Sequence, residues 1–339
     1  MSQKIIVTGG AGYIGTHTTV ALQAAGFDVV VFDNLSNSSA DSLDGVVRIT
    51  GGRPEFLNVD CADGDALRDA FAKHSDAVGV IHFAALKAVG ESVEKPLMYF
   101  KNNLNGLINV LDMMREFGVP NIVFSSSATV YGVPEKLPVT EGTPLQPATS
   151  PYGATKVMGE NIIRDTVRAY PQIHATLLRY FNPIGAHPSG FIGESPNGVP
   201  NNLMPYITQT AAGIREVLNV FGDDYDTPDG YCVRDYIDVN DLARAHVAAL
   251  RHMLGGADGI GVFNLGTGRG TSVMELVRGF EAATGVSVPY KIAPRRAGDV
   301  PAIWADASLA ERTLGWRADT PLVDTLASAW RWQQYVSKK

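Results

Sequence analysis

The chain reads as an α/β protein: a doubly wound, mostly parallel sheet covered by helices on both faces, with a smaller, discontinuous C-terminal lobe. Three observations predict this. Short β-rich runs alternate with helical segments through the first half of the chain. Several of these runs are continuous Val/Ile/Leu/Phe stretches rather than alternating ones, as parallel strands buried on both faces require. The first run feeds a glycine cluster that opens a helix.

Taken in order, the expected strands are Lys4–Thr8, Asp28–Phe32, Glu55–Asp60, Val78–Phe83, Asn121–Ser126 and Thr176–Tyr180. Segments near 13–25, 63–74, 96–117 and 152–170 carry the helical periodicity of crossover connections. Pro96 suits the first turn of the third, and Gly118 suits the position just past its end. After residue 181 the character changes. Residues 182–202 hold Pro183, Gly185, Pro188, Gly190, Gly193, Pro196, Gly198 and Pro200, then lead into the apolar segment LMPYITQTAAGI. They form an irregular excursion rather than a linker. VFNLG at 262–266 looks like one more strand returning to the first sheet. The expected organisation is 1–181 as the sheet domain, rejoined by about 235–266, and 182–339 as a discontinuous second domain.

Composition narrows the function. A length of 339 residues suits one large or two moderate domains. The net charge of −7 comes without a Lys/Arg-rich tract, which argues against a nucleic-acid surface. It leaves room for an anionic small ligand held by a few focused cations. No apolar run approaches the roughly 20 residues of a membrane span. The start, MSQKIIVTGG, lacks the apolar core of a secretory signal and runs directly into a strand. Cys61 and Cys232 match no disulfide framework and no metal-ligand spacing, so no metal is expected and the cytoplasm is the expected compartment.

The opening strand KIIVT meets Gly9-Gly10-Ala11-Gly12-Tyr13-Ile14-Gly15. Gly9, Gly12 and Gly15 make a G-x-x-G-x-x-G variant of the dinucleotide fingerprint of a Rossmann fold. The first glycine permits the tight turn, the second lets backbone approach a pyrophosphate, and the third lets helix pack on strand. The free N–H groups at the helix N-terminus then face the phosphates. A second strand ends in Asp33, 18 residues after Gly15. A carboxylate there accepts hydrogen bonds from the adenosine ribose and repels a 2′-phosphate, favouring NAD over NADP.

Further on, SPYGATKVMGE places Tyr152 and Lys156 one helical turn apart, on one face. A free phenol, with pKa near 10, is no base at neutral pH. An ammonium about 5 Å away favours the phenolate by on the order of 3 kcal/mol at an effective dielectric near 20, or roughly two pKa units. Y-x-x-x-K alone is common by chance. Here the strand NIVFSSS ends in Ser125, Ser126 and Ser127, at the carboxyl edge where parallel sheets bind ligands, and a hydroxyl there can relay or orient a substrate proton.

Glycine fingerprint, strand-end serine and Tyr-x-x-x-Lys together resemble the short-chain dehydrogenase/reductase superfamily. The blocks HFAALKAVGESVEKP, FSSSATVYG, SPYGATK, LRYFNPIGAHPSG, PNNLMPYI, VRDYIDVNDLA and APRRAGDVPAIWADAS stand in order along the chain. They resemble the UDP-glucose 4-epimerases, extended members of that superfamily, from about residue 4 to 316. Carried over residue by residue, the resemblance implies that Tyr13, Ile14, Asp33, Asn34, Asn37, Ser38, Asp60, Cys61, Phe83, Ala84, Ala85, Lys87, Asn102, Lys156 and Phe181 surround NAD. It implies proton transfer by Tyr152 and Ser127, assisted by Lys156. It assigns Asn182, Asn202, Phe221, Arg234, Arg295 and Asp299 to UDP, and places Ile303 beside the sugar's C2 substituent. The chemistry agrees: paired arginines suit a diphosphate, and Asn and Asp suit uracil and ribose hydroxyls.

The activity so implied interconverts UDP-glucose and UDP-galactose by transient oxidation at C4, with the 4-keto sugar turning over inside the site. The resemblance also implies a homodimer, helix 96–117 pairing with 152–170 across a two-fold axis. A nucleotide-sugar 4,6-dehydratase would need an acid/base pair, typically Asp-Glu, beside the strand-end hydroxyl, where this chain has Ala128-Thr129. A non-catalytic NAD-binding regulator would dispense with the Tyr/Lys pair, and this chain keeps both. Two positions depart from the family pattern. Cys61 replaces an aliphatic residue, and Asp238 stands where histidine is common.

Overall fold

The computed structural model describes residues 2–296 and 299–338. Strands β1 (Lys4–Thr8), β2 (Asp28–Asp33), β3 (Glu55–Asn58), β4 (Ala77–His82), β5 (Asn121–Ser127) and β6 (His174–Tyr180) form one parallel sheet with the later strand Ile260–Leu265. The order across the sheet is Ile260–Leu265, β6, β5, β4, β1, β2, β3. The winding reverses between β1 and β4, and the crevice above their carboxyl ends is where such a sheet receives a ligand. The expected fold class is the observed one.

Helices α1 (Tyr13–Ala24), α3 (Gly64–Lys73), α5 (Pro96–Phe117) and α6 (Pro151–Ala169) lie where periodicity placed them. Pro96 opens α5, and Gly118 closes it in the left-handed conformation. Two more helices, α2 (Asp41–Thr50) and α4 (Val89–Glu94), lie outside the expected segments. In α2 a mid-helix glycine and the β-branched Val46, Val47, Ile49 and Thr50 oppose helix formation. Packing overrides them. A Cβ on Gly45 would lie 2.4 Å from the Phe191 carbonyl oxygen, so only glycine lets these backbones touch.

Each face of the sheet has its own core. One buries Val20 and Leu22 of α1 with Leu242, Val247 and Leu250 of α8 (Val239–Leu254). The other buries Leu67 and Phe71 of α3, Leu107 and Met114 of α5, and Ile163 of α6. Full burial of each such side chain contributes roughly 1.5–3 kcal/mol. Ala310 of α10 (Ser308–Leu314), together with Trp316, also packs on the first face. A separate core joins α7 (Leu203–Ala211), α9 (Val273–Thr284) and α11 (Leu322–Val336) through Met204, Ile207, Phe280 and Leu326. Short strands bridge the two lobes: Asn182–Ile184 pairs with Tyr236–Asp238, and Val233–Arg234 pairs with Ala302–Ile303. Among the described residues no helix is long and apolar enough to cross a membrane.

Candidate active site

The glycine loop sits at the switch point. Gly9 has φ 70°, and a Cβ there would lie 2.7 Å from the Ala84 amide nitrogen. A Cβ on Gly15 would lie 2.3 Å from the Gly9 carbonyl oxygen. The loop after β4, with Phe83, Ala84 and Ala85, therefore rides directly on the glycine turn. Gly12 is the extended N-cap of α1 and brings no side-chain cap, so the first N–H groups of the helix face the crevice without a side-chain acceptor. This cradle fits a dinucleotide pyrophosphate.

Asp33 closes the far side of the crevice. Its carboxylate accepts from the Ala11 amide at 3.0 Å, the Leu35 amide at 2.8 Å and the Ser38 hydroxyl at 2.8 Å. Asn34 donates to Asp60 at 3.1 Å, and Asn37 is exposed beside them. Cys61 is buried, its thiol pushed up to about 12 chiefly by burial, and its carbonyl accepts from Asn109 at 2.9 Å. Its side chain is thus inert packing beneath the loop. Ile14 packs against the first core.

Sequence reasoning missed Asn103. This buried amide accepts from the Leu86 amide at 2.8 Å, donates to the Leu86 carbonyl at 2.9 Å, and receives a hydrogen bond from Asn102 at 3.0 Å. It fixes the 84–88 loop, and its only signal was adjacency to Asn102. Lys87 reaches Glu194 at 3.4 Å, and Asn202 donates to the same Glu194 oxygen at 2.6 Å. An unassigned carboxylate therefore joins a residue expected at the cofactor to one expected at UDP.

The catalytic candidates converge at the carboxyl end of β5. Ser150 caps α6, its hydroxyl accepting from the Gly153 amide at 3.1 Å, and this sets Tyr152 and Lys156 facing the sheet. The Lys156 ammonium donates to the Ser125 carbonyl at 2.6 Å and lies 5.7 Å from the centre of the Tyr152 ring. Burial drags Lys156 down to about 8. Burial also pushes the Tyr152 phenol up to about 12, and a hydrogen bond with Ser127 pulls it partly back. Desolvation of the phenolate thus outweighs the Ser127 hydrogen bond, and the two-unit lowering expected from Lys156 is not seen in the protein alone.

Behind these groups a buried network locks α6 to the sheet. Glu160 accepts from Nε and Nη2 of Arg179, at 2.8 and 2.6 Å, and from the Ser126 hydroxyl at 2.6 Å. Arg179 also donates to the Tyr131 hydroxyl at 3.1 Å.

Phe181 and Ile303 are buried together with Ala128, Val130 and Tyr131, the residues just after Ser127. Ile303 stands in backbone register with Arg234. Asn182 is exposed at the crevice edge, its amide donating to the Asp235 carbonyl. Phe221 and Arg295 come together at a second rim, where a Cβ on Gly222 would lie 2.8 Å from the Arg295 side chain. Arg295 donates to Asp224 at 2.6 Å, and Asp299 pairs with Arg296 at 3.1 Å. Arg296, also unassigned from sequence, covers the Phe221 ring at 4.9 Å. Asp238, the departure from histidine, caps α8: it accepts from the Asn240 amide at 2.7 Å and the Thr325 hydroxyl at 2.8 Å. Its work is structural.

Residues 5–266 match the model of the NAD dependent epimerase/dehydratase family. The chain is 55% identical over 329 residues to UDP-glucose 4-epimerase of Bacillus subtilis (strain 168), covering 97% of this chain and 96% of that protein. The crystal structure of UDP-glucose 4-epimerase from Bifidobacterium longum in complex with NAD+ and UDP is 49% identical, with a TM-score of 0.95 over 98% of each chain. That of the Stenotrophomonas maltophila UDP-glucose 4-epimerase with bound NAD and formylated UDP-arabinopyranose is 48% identical, with a TM-score of 0.96 over 99% of each. The chain belongs to the NAD dependent epimerase/dehydratase family and, within it, to the UDP-glucose 4-epimerases.

Proposed function

We propose that the protein interconverts UDP-glucose and UDP-galactose, with Tyr152 as the base that takes the C4 hydroxyl proton. The observation that carries this is the convergence of Ser127, Tyr152 and Lys156 at the end of β5, beside the crevice of the glycine loop. NAD on that loop supplies the acceptor and donor of the C4 hydride. Ser127 orients the hydroxyl, and Lys156 stabilises the developing phenolate. Arg234 and Arg295 hold the diphosphate while the hexose, loosely held, turns between its two faces. Residues 182–339 form the lobe that binds the nucleotide sugar, apart from 235–266 and 308–316, which return to the sheet.

Purified protein incubated with UDP-galactose and no added NAD should yield UDP-glucose on anion-exchange chromatography. Absence of product, with and without NAD, would refute the activity.

The functional unit is a homodimer. Leu97 is 73% exposed, and Met98, Ile108 and Met158 are also exposed, a stripe of apolar side chains along the paired helices α5 and α6. A second copy about a two-fold axis covers it as a four-helix bundle. A monomer by light scattering at micromolar concentration would overturn this. Both cysteines are buried and free, as suits a reducing cytoplasm, where we place the enzyme.

A further inference from the structure

An enzyme that returns its own hydride must keep its cofactor between the two half-reactions, so the following rests on the function proposed above. The segment carrying Asp33, Asn37 and Ser38 runs straight into α2. Helix α2 leans on the glycine loop, where the Ser42 hydroxyl donates to the Ala11 carbonyl at 2.8 Å. Its other side is backed by a hairpin from the second lobe. In that hairpin Ala186 bridges Gly193, and the His187 amide donates to the Ile192 carbonyl at 3.1 Å.

Gly45 lets the hairpin touch the α2 backbone, as its added Cβ would also lie 2.5 Å from the Ile192 side chain. The Arg48 guanidinium stacks 5.4 Å over the Phe191 ring and donates to the Tyr335 hydroxyl at 2.8 Å. The Tyr335 ring meets Phe191 edge-on at 5.9 Å. From behind, α11 grips the hairpin: the Trp332 indole donates to the Glu194 carbonyl at 2.9 Å, and a Cβ on Gly193 would lie 2.4 Å from the Trp332 ring. A second tie runs from Tyr13 in the glycine loop to the Gly185 carbonyl at 2.7 Å. None of these contacts involves Ser127, Tyr152 or Lys156.

We infer that hairpin 186–193 is a clasp on the cofactor: Phe191 and Arg48 are positioning residues that press α2 onto the adenosine end of the crevice and slow NAD release. Cation–π and edge-on aromatic contacts at a half-exposed site are well suited to opening slowly without unfolding the lobe. If the same contacts served folding alone, loosening them would lower thermal stability and leave NAD exchange untouched.

The test is exchange of bound NAD for radiolabelled NAD in the wild type, Phe191→Ala and Arg48→Ala, with melting temperature and nucleotide content after gel filtration measured alongside. Both variants are expected to exchange at least tenfold faster, to lose NAD on gel filtration, and to regain turnover within twofold of wild type at saturating NAD. Exchange within twofold of wild type in both, whatever their melting temperatures, overturns the inference. So does faster exchange with turnover that added NAD does not restore, which would put the hairpin in the sugar site. The exchange assay uses no sugar, so its result stands whether or not UDP-galactose turns over.

Discussion

Lys156→Met removes the charge beside Tyr152, the proposed base, while keeping an unbranched side chain of similar length. The ammonium that is lost stands 5.7 Å from the Tyr152 ring centre and hydrogen-bonds the Ser125 carbonyl. With Lys156 near 8, about nine-tenths of it is charged at pH 7. With Tyr152 near 12, only about one molecule in 10⁵ carries a phenolate at that pH. Some five units must therefore be recovered for a base that works near neutrality. One positive charge about 5 Å from the phenolic oxygen, at an effective dielectric near 20, contributes on the order of 3 kcal/mol, or roughly two of those units. The Ser127 hydrogen bond is already counted in the value near 12, so the rest falls to the charge of the oxidised cofactor. The variant should lose about 10²-fold in kcat at pH 7, and the rising limb of its kcat profile should move about two units toward alkaline pH. The assay is kcat for UDP-galactose between pH 6 and 10, with NAD content measured in each preparation. A limb that moves by less than about half a unit, at equal NAD content, would show that Lys156 does not tune Tyr152.

Tyr152→Phe should leave melting temperature and bound NAD near wild type while lowering kcat by about 10²–10⁴-fold, and retention of more than about a third of wild-type kcat would sink the base assignment. Ile303, 6% exposed beside Ala128 and Phe181, is proposed to gate the sugar's C2 substituent. Its truncation to alanine should raise kcat/KM for UDP-N-acetylglucosamine relative to UDP-glucose, and a tyrosine there should lower it; a ratio constant within about twofold across the series removes the gate. Because the site is buried, Ile303→Ala should also cost roughly 2–5 kcal/mol in urea unfolding. His17 and His82 are held down to about 3, and His246 to about 4, all chiefly by burial. Histidines depressed in the folded state contribute stability that is present above their unfolded pKa and lost as pH falls below it. At pH 5 each should cost about 2 kcal/mol relative to neutral pH, about 6 kcal/mol for the three, and an unfolding free energy flat between pH 7 and 5 would refute this.

What the sequence disclosed was local and periodic. Seven strands and four crossover helices were legible because parallel strands read as unbroken apolar runs and α5 announces itself with Pro96 and Gly118. Helix α2 was not, because the property that makes it fit, a glycine pressed against the Phe191 backbone, is one that disfavours helices in isolation. Among site residues, the Tyr/Lys spacing and the glycine turn follow from one element each. Asn103, Glu194 and Arg296 act across elements, and nothing in their local sequence says which loop they will reach. The ionisation of Tyr152 failed to follow from the pair alone for a related reason. A Coulomb estimate sees the neighbour but not the burial, which depends on every element packed around the site.

The sheet is completed by Ile260–Leu265, a strand translated only after the whole excursion from Asn182 to Gly259. A ribosome releasing this chain therefore exposes β6 with one edge unpaired while nearly eighty further residues are made. The buried Asn264 that meets Tyr131 and the Val139 carbonyl is also missing until then. The sheet cannot be completed before the excursion has been made. A fragment ending near residue 181 should aggregate rather than persist as a free nucleotide-binding module. Splitting the gene there for complementation should fail, whereas a break in an exposed loop after Leu265 would spare the sheet.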